Sequence, residues 1–423
     1  MSEQAEIRPV RTRRVSPGVE QARKVPIIVG SGEAFMLDQD PPRISMEDFR
    51  ALLMSCVLSG ASDVTIQSDQ QPRAEIHGLL YRTTRRPWGP SEVDQVLMEV
   101  YGGANARTEI NGQRVLDFSY ELNLPDGSRQ RFRCNAIGIF GRDGQGVEIT
   151  LRALPSVTPS LPGVGLSEGE TLALSPRDGI VIIAGATGSG KSTTMAAITR
   201  SHLENLSRPV KIVDIQAPIE YTYRDVTNGL TGSPSVIGQS EVGKHIRGFA
   251  DGVHAALRRK PHIINVGEAR DFETIQASIE ASLTGHLVYT TTHAGSVADA
   301  VRRLLSVFPA NERESRAYDL ISALRFLMVQ HLVPRIDRPG RVAIREYIRF
   351  TPRVREGLLD APINDWPLRI TDEVYGRTQG AGAEDMRLSL LDSVAPLFRD
   401  GVISRDDALR LGGLAVIRGG GKA

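Results

Sequence analysis

Hydrophobic positions along the chain keep two different periods, and the mixture of the two changes partway along. Phe49, Leu52, Leu53, Cys56 and Val57 recur at helical spacing, and Ser45 with Asp48 has the form of a capping box, which predicts a helix starting there. Val64 and Ile66 then alternate with polar neighbours, as a half-buried strand does. Asp117–Leu122 and Arg131–Ile139 read as two further strands, with the turn signal Pro125-Asp126-Gly127 between them, so the pair predicts a hairpin. Residues 45–153 therefore read as a small α+β domain. Pro155, Pro159 and Pro162, the last beside Gly163, mark a hinge over 154–164.

Beyond the hinge the pattern changes. Ile180–Ala184, Val210–Ile215, Ile263–Val266 and Leu287–Thr291 are strand-like apolar runs that alternate with helical segments. This is the pattern of an α/β domain, a mostly parallel sheet with helices on its faces, here over 165–415. From residue 311 the reading is helical, with Leu320, Ile321, Leu324, Leu327 and Met328 on one face and a last helical pair over roughly 385–412. Residues 1–44 have little apolar periodicity and carry Arg8, Arg11, Arg13 and Arg14, so they read as a flexible basic arm, and 416–423 reads as a tail.

Composition narrows the function classes. The length of 423 residues suits two domains with room for a small third. With 51 Lys and Arg against 50 Asp and Glu the net charge is +1, and no global field points to nucleic acid or lipid. The two cysteines, Cys56 and Cys134, stand in no metal-ligand spacing, which fits a reducing, cytoplasmic compartment. No apolar run approaches the length of a membrane span, and the first eight residues hold no apolar signal core.

The strongest chemical signal is Gly185-Ala186-Thr187-Gly188-Ser189-Gly190-Lys191-Ser192, followed by Thr193. It is a complete Walker A loop between a predicted strand and a predicted helix. Glycines let the backbone N–H groups curl around phosphate oxygens, and the helix N-terminus adds positive potential. Lys191 then reaches the β- and γ-phosphates of ATP, and Ser192 offers its hydroxyl to Mg²⁺. Downstream, Ile263-Ile-Asn265-Val-Gly-Glu268 is a buried strand that ends at a carboxylate. A carboxylate there holds Mg²⁺ through water or aligns the attacking water. Asn265, polar in mid-strand, needs a hydrogen-bond partner if buried.

Two more segments complete a set of four boxes: Ile212-Val-Asp-Ile-Gln216-Ala217-Pro218-Ile219-Glu220, and Thr284-Gly285-His286-Leu287-Val288 running on to His293. Their order resembles the secretion ATPase superfamily, which includes PilT-like retraction motors and the type II and type IV secretion ATPases. Gly267-Glu268-Ala269-Arg270-Asp271 is similar to the PilT-like Walker B extension, and Arg303 before Val307-Phe308-Pro309 is similar to the segment after the His box. The resemblance runs over about 45–415. It implies a RecA-like P-loop NTPase domain behind a small PAS-like α+β domain, assembled as a homo-hexameric ring. Partner proteins of an inner-membrane secretion or conjugation machinery would recruit it from the cytoplasm, with no direct nucleic-acid binding.

Departures from the family pattern sharpen the branch. Two acidic residues usually precede the proline of the second box, where this chain has Gln216 and Ala217, and Lys260 and His262 flank Pro261. These changes look more like the DotB and plasmid TraJ branch than like a retraction motor. They leave Glu220 and Glu268 as the carboxylate candidates, with Glu268 favoured as the base and as a water-mediated Mg²⁺ ligand. The resemblance also implies that His293 senses the γ-phosphate, with His286 open between that role and a structural one; His77, His202, His245, His254, His262 and His331 read as structural. Of Arg131, Arg133, Arg142 and Arg152, it favours Arg133 and Arg152 as groups that lean towards the γ-phosphate. The readings left open are a type IVB-like secretion or conjugation ATPase, a PilT-like retraction motor, and a nucleotide-binding ring scaffold with little hydrolysis.

Overall fold

The computed structural model describes residues 27–29, 32–76, 79–124, 129–142, 144–155, 157–224, 226, 233–338, 340–378 and 386–419. The chain divides into two compact units, Met1–Ser156 and Val157–Ala423.

Among its described residues the first unit is one eight-stranded sheet with three helices. Its strands are β1 (Ile27–Val29), β2 (Glu33–Phe35), β3 (Ala61–Gln67), β4 (Arg73–Ile76), β5 (Leu79–Arg82), β6 (Leu116–Asn123), β7 (Arg129–Ile139) and β8 (Gly146–Ala153). They lie in the order β1-β2-β5-β4-β3-β8-β7-β6. The helices are α1 (Met46–Leu58), α2 (Pro90–Tyr101) and α3 (Ala106–Asn111). The predicted capping box is present: the Ser45 hydroxyl accepts from the Asp48 N–H, and the Asp48 carboxylate accepts from the Ser45 N–H. Phe49, Leu52, Leu53 and Cys56 of α1 are fully buried in one core with Ile66, Leu97, Phe132 and Leu151. β6 and β7 pair antiparallel from Leu116↔Ala136 to Asn123↔Arg129. The turn Pro125-Asp126-Gly127 and His77 lie outside the described residues.

The expected arm over 1–44 is corrected over its described part, Ile27–Val29 and 32–44. Strands β1 and β2 belong to the sheet, Ala34, Met36 and Ile44 are buried, and the Ile44 N–H donates to the Glu92 carboxylate at 2.7 Å. Three-residue strands leave too little periodicity to read locally, and only the pairing of β2 with distant β5 joins the two to the sheet. Residues 1–26 lie outside the described set.

The second unit is a mixed sheet in the order β11-β10-β12-β13-β9-β14-β15-β16. Its strands are β9 (Gly179–Ala184), β10 (Lys211–Gln216), β11 (Val236–Glu241), β12 (Ile263–Val266), β13 (Leu287–Thr292), β14 (Leu324–Pro334), β15 (Arg341–Arg349) and β16 (Arg387–Leu388). From β11 to β14 all neighbours are parallel, and β15 and β16 close the edge antiparallel. The helices are α4 (Glu168–Ala173), α5 (Lys191–Glu204), α6 (Phe249–Leu257), α7 (Phe272–Leu283), α8 (Val297–Ser306), α9 (Arg313–Ala323), α10 (Pro352–Leu359), α11 (Trp366–Val374), α12 (Leu390–Arg399) and α13 (Arg405–Gly419), the last bent at Gly413. Both faces of the sheet are covered, so β9 reads as an unbroken apolar run. Ile180 and Ile182 enter one core with α6 to α9, while Val181 and Ile183 enter another with α4 and α5.

The helical reading after residue 311 is corrected as well. Helix α9 ends at Ala323, and Leu324, Leu327 and Met328 belong to β14, held between β9 and β15. A strand buried on both faces lacks polar alternation, so its apolar run fits a helical stripe equally well.

Candidate nucleotide site

Three adjacent parallel strands deliver the chemistry to one edge. β12, β13 and β9 end, in that spatial order, at the Glu268 turn, at His293 and at the Walker A loop. Ligands of open α/β sheets bind outside the carboxyl ends of the strands, and the loop-to-helix junction there is an anion site. The loop leaves β9 at Gly185, whose N–H bonds the Thr292 carbonyl. Lys191 opens α5 and folds back, its ammonium donating to the Gly185 and Ala186 carbonyls at 2.8 and 3.0 Å. Burial pulls the Lys191 pKa below its ordinary value, and the charges of Glu268 and Glu220 push it back up. Both carboxylate candidates therefore bear on this lysine.

Glu268 is fixed by its surroundings. The Gly267 N–H bonds the Ile215 carbonyl and the Ala269 N–H bonds the Thr291 carbonyl, so the peptides on either side of Glu268 are tied to neighbouring strands. The Thr291 hydroxyl adds a bond to the Gly267 carbonyl at 2.6 Å. The carboxylate lies 3.3 Å from His293 Nε2 and 3.7 Å from the Arg270 guanidinium. The His293–Glu268 contact was not legible beforehand: the two residues are far apart in sequence, and only adjacency of β12 and β13 joins them. Glu220 sits beside Tyr221, whose hydroxyl is 3.1 Å from that of Thr193 in the first turn of α5.

Gln216 proves informative. Its amide donates to the buried Asp214 at 2.7 Å, and Gln239 donates to the other Asp214 oxygen at 2.7 Å. Burial raises the Asp214 pKa, against hydrogen bonds that favour its charged form. The amide at 216 thus satisfies a carboxylate where an acidic side chain would oppose it. Asn265 is buried too, and its amide finds the Thr199 hydroxyl at 2.9 Å.

The remaining predicted residues separate. His286 precedes β13 and lies at the opposite end of the strand from His293, about 20 Å away by strand rise. Its Nδ1 stands 3.0 Å from the Ala281 carbonyl, a local structural contact. Burial, helped by Arg208, lowers the His202 pKa to about 4, and its ring bonds the Tyr289 hydroxyl. Within the first unit, Arg133 and Arg152 are cross-strand neighbours on β7 and β8, both exposed, and Arg152 pairs with Asp63 at 2.8 Å.

The residues present fit Mg²⁺ with a nucleotide. No group of three or more potential metal-ligating side chains occurs among the described residues. A single hydroxyl, Ser192 at the start of α5, suits an ion that keeps water and takes phosphate oxygens as its other ligands. A cavity of about 480 Å³ opens beside the loop, lined among others by Val164, Gly165, Gly190, Thr193, Arg341 and Arg345.

This arrangement defines a P-loop nucleotide-binding protein of the RecA-like α/β type. The family model for Type II/IV secretion system protein matches residues 44–358, and the chain belongs to that family. It is 34% identical over 340 residues to a twitching motility protein of Neisseria gonorrhoeae, covering 80% of this chain and 83% of that one. The crystal structure of the ATPase DotB of Legionella pneumophila superposes with a TM-score of 0.79 at 35% identity, over 92% of this chain and 99% of that one. The pilus retraction motor PilT, solved with bound ADP, superposes with a TM-score of 0.69 at 27% identity, over 86% of this chain and 96% of that one.

Proposed function

We propose that the chain is an ATPase that powers a type IVB-like secretion or conjugative transfer system as a homo-hexameric ring, recruited to the inner membrane by partner proteins. One observation carries this reading. The Walker A loop, Glu268 and His293 share one sheet edge in a chain that follows DotB over nearly its whole length.

In this reading Lys191 binds the β- and γ-phosphate oxygens, and the loop N–H groups cradle them. Ser192 would hold Mg²⁺, with Glu268 contributing through water; the ion supplies charge neutralisation on those oxygens. Glu268 orients the attacking water, and His293 steadies that carboxylate through its Nε2 contact besides reporting the γ-phosphate. The nucleoside end would occupy the cavity beside the loop. Arg133 and Arg152 would supply positive charge as phosphate transfers.

A retraction motor is the second reading, favoured by the twitching motility relative; a deletion strain that loses twitching and keeps secretion or DNA transfer would select it. The test of the main reading is Mg-ATP hydrolysis against protein concentration, with light scattering for ring mass. Specific activity should rise with assembly. Lys191→Ala should abolish binding or turnover, and Glu268→Gln should retain ATP and lower turnover about 100-fold or more. Normal turnover in Glu268→Gln would move the base assignment to Glu220. A formed ring that binds ATP without turnover would favour the scaffold reading.

A further inference from the structure

A buried polar chain links the Walker A loop to the segment that leads in from the first unit. Gln330 lies in β14 and is 2% exposed. Its amide donates to the Ser189 carbonyl of the loop at 2.7 Å. Its carbonyl oxygen accepts from the Thr194 hydroxyl, in the first turn of α5, at 3.0 Å, and from Arg345 Nε at 3.0 Å. Arg345 is the direct cross-strand partner of Gln330 on β15, which places both side chains on one face.

Arg345 is 5% exposed, and no carboxylate among the described residues lies within ion-pair range of it. Its two terminal nitrogens donate to the carbonyls of Gly165 and Val164. Burial lowers the Arg345 pKa and the charge of Glu170 offsets this only in part, so a guanidinium with no contact ion pair is costly here, where a neutral side chain would satisfy one or two carbonyls without that cost. Arginine offers a rigid planar fork that reaches three acceptors on two different segments at once.

The linker is also held at its other end. The Thr158 hydroxyl donates to the Thr222 carbonyl, two residues past Glu220, and Arg200 of α5 donates to the Thr158 carbonyl at 2.6 Å. Residues 158–165 are thus fastened to α5, to the Glu220 segment and, through Arg345 and Gln330, to the loop itself. The same linker forms one wall of the cavity beside the loop.

We propose that Gln330 and Arg345 are positioning residues that couple occupancy of the Walker A loop to the linker 158–165. Phosphate in the loop orders Ser189 and Thr194. These orient the Gln330 amide, and Gln330 in turn sets the Arg345 fork on Val164 and Gly165. The proposal rests on the nucleotide reading above.

Hydrogen exchange of the full chain tests it, measured without nucleotide and at saturating ADP or a non-hydrolysable ATP analogue, with binding titrated separately. The N–H groups of Val164, Gly165 and Leu166 bond back to Ser160, Pro162 and Leu161, so their exchange reports opening of the linker turn. Nucleotide should slow that exchange about tenfold or more. In Arg345→Lys at saturating nucleotide, the effect should shrink to within about twofold, because one ammonium cannot bridge the three acceptors. In Gln330→Glu, which can still accept from Thr194 and Arg345 but cannot donate to Ser189, nucleotide dependence should be lost in the same way. A side chain that served packing alone would alter the melting temperature and leave the nucleotide dependence intact. If the parent chain binds nucleotide and its linker exchange does not change, the coupling is wrong whether or not either variant folds. Full nucleotide dependence in a folded Arg345→Lys also overturns it. A parent chain that binds no nucleotide overturns the nucleotide reading together with the proposal.

Discussion

Two alanine substitutions in the Walker A loop should differ sharply although both replace glycine. Gly185 has φ of 148°, a region occupied essentially by glycine alone. A Cβ there would lie 2.3 Å from the Gln330 carbonyl oxygen and 2.5 Å from Ser189 Oγ. The serine hydroxyl can rotate away. The Gln330 main-chain carbonyl cannot, since Gln330 is paired with Arg345 of β15 and its neighbour Val329 with Ala184 of β9. Backbone strain of about 1–3 kcal/mol adds to an overpacking cost of about 1–3 kcal/mol. If the sum falls on the phosphate-binding shape of the loop, Gly185→Ala loses roughly 30-fold to more than 1,000-fold in ATP affinity. Gly188 has φ of 77° and nothing within 4 Å of its virtual Cβ, so only the left-handed backbone cost of about 1–2 kcal/mol applies, roughly 5- to 30-fold. Titration with a fluorescent ATP analogue, with thermal unfolding alongside, measures both. Equal losses, or a larger loss at Gly188, would refute the seating of the loop on β14.

Other consequences follow from the same geometry. His293→Ala removes the 3.3 Å contact that steadies the Glu268 carboxylate and should lower kcat about 10-fold, roughly 1.4 kcal/mol of barrier, while ATP affinity stays within about threefold; steady-state kinetics with a binding titration separates the two. Gln216→Glu sets a carboxylate against buried Asp214 and should cost about 1–3 kcal/mol at pH 7 in denaturant unfolding; the cost shrinks as pH falls, because carboxyl groups with raised pKa values take up protons earlier in the folded state. In the first unit, burial alone would raise the Glu92 pKa, but hydrogen bonds from Arg86 and from the Ile44 and Gly89 N–H groups hold it at about 2 against an ordinary 4.5. That difference contributes about 3 kcal/mol above pH 4.5, lost as pH falls towards 2, so Glu92→Gln should destabilise the unit near neutrality and flatten its acid-unfolding limb.

By itself the sequence determined the elements whose information is local. A strand, a glycine loop and a helix that follow one another carry the phosphate site in consecutive residues, so Gly185 to Thr193 could be read directly, and the order of the four boxes brought Glu268, Glu220 and His293 with it. The Ser45–Asp48 cap and the strands around Ile66 and Phe132 were legible for the same reason: period and capping act within a few residues. Only the tertiary structure decided what depends on pairing between distant segments. The run from Leu324 to Met328 is apolar on both sides, and no local pattern separates a fully buried strand from a helical stripe; β9 and β15 on either side made it a strand. The two short strands before Ile44 join the sheet only through the pairing of β2 with distant β5. The contact of His293 with Glu268 and the chain from Ser189 through Gln330 and Arg345 to the linker each join residues with no shared sequence pattern. Their chemistry is ordinary, and only the order of strands in the sheet brings them together.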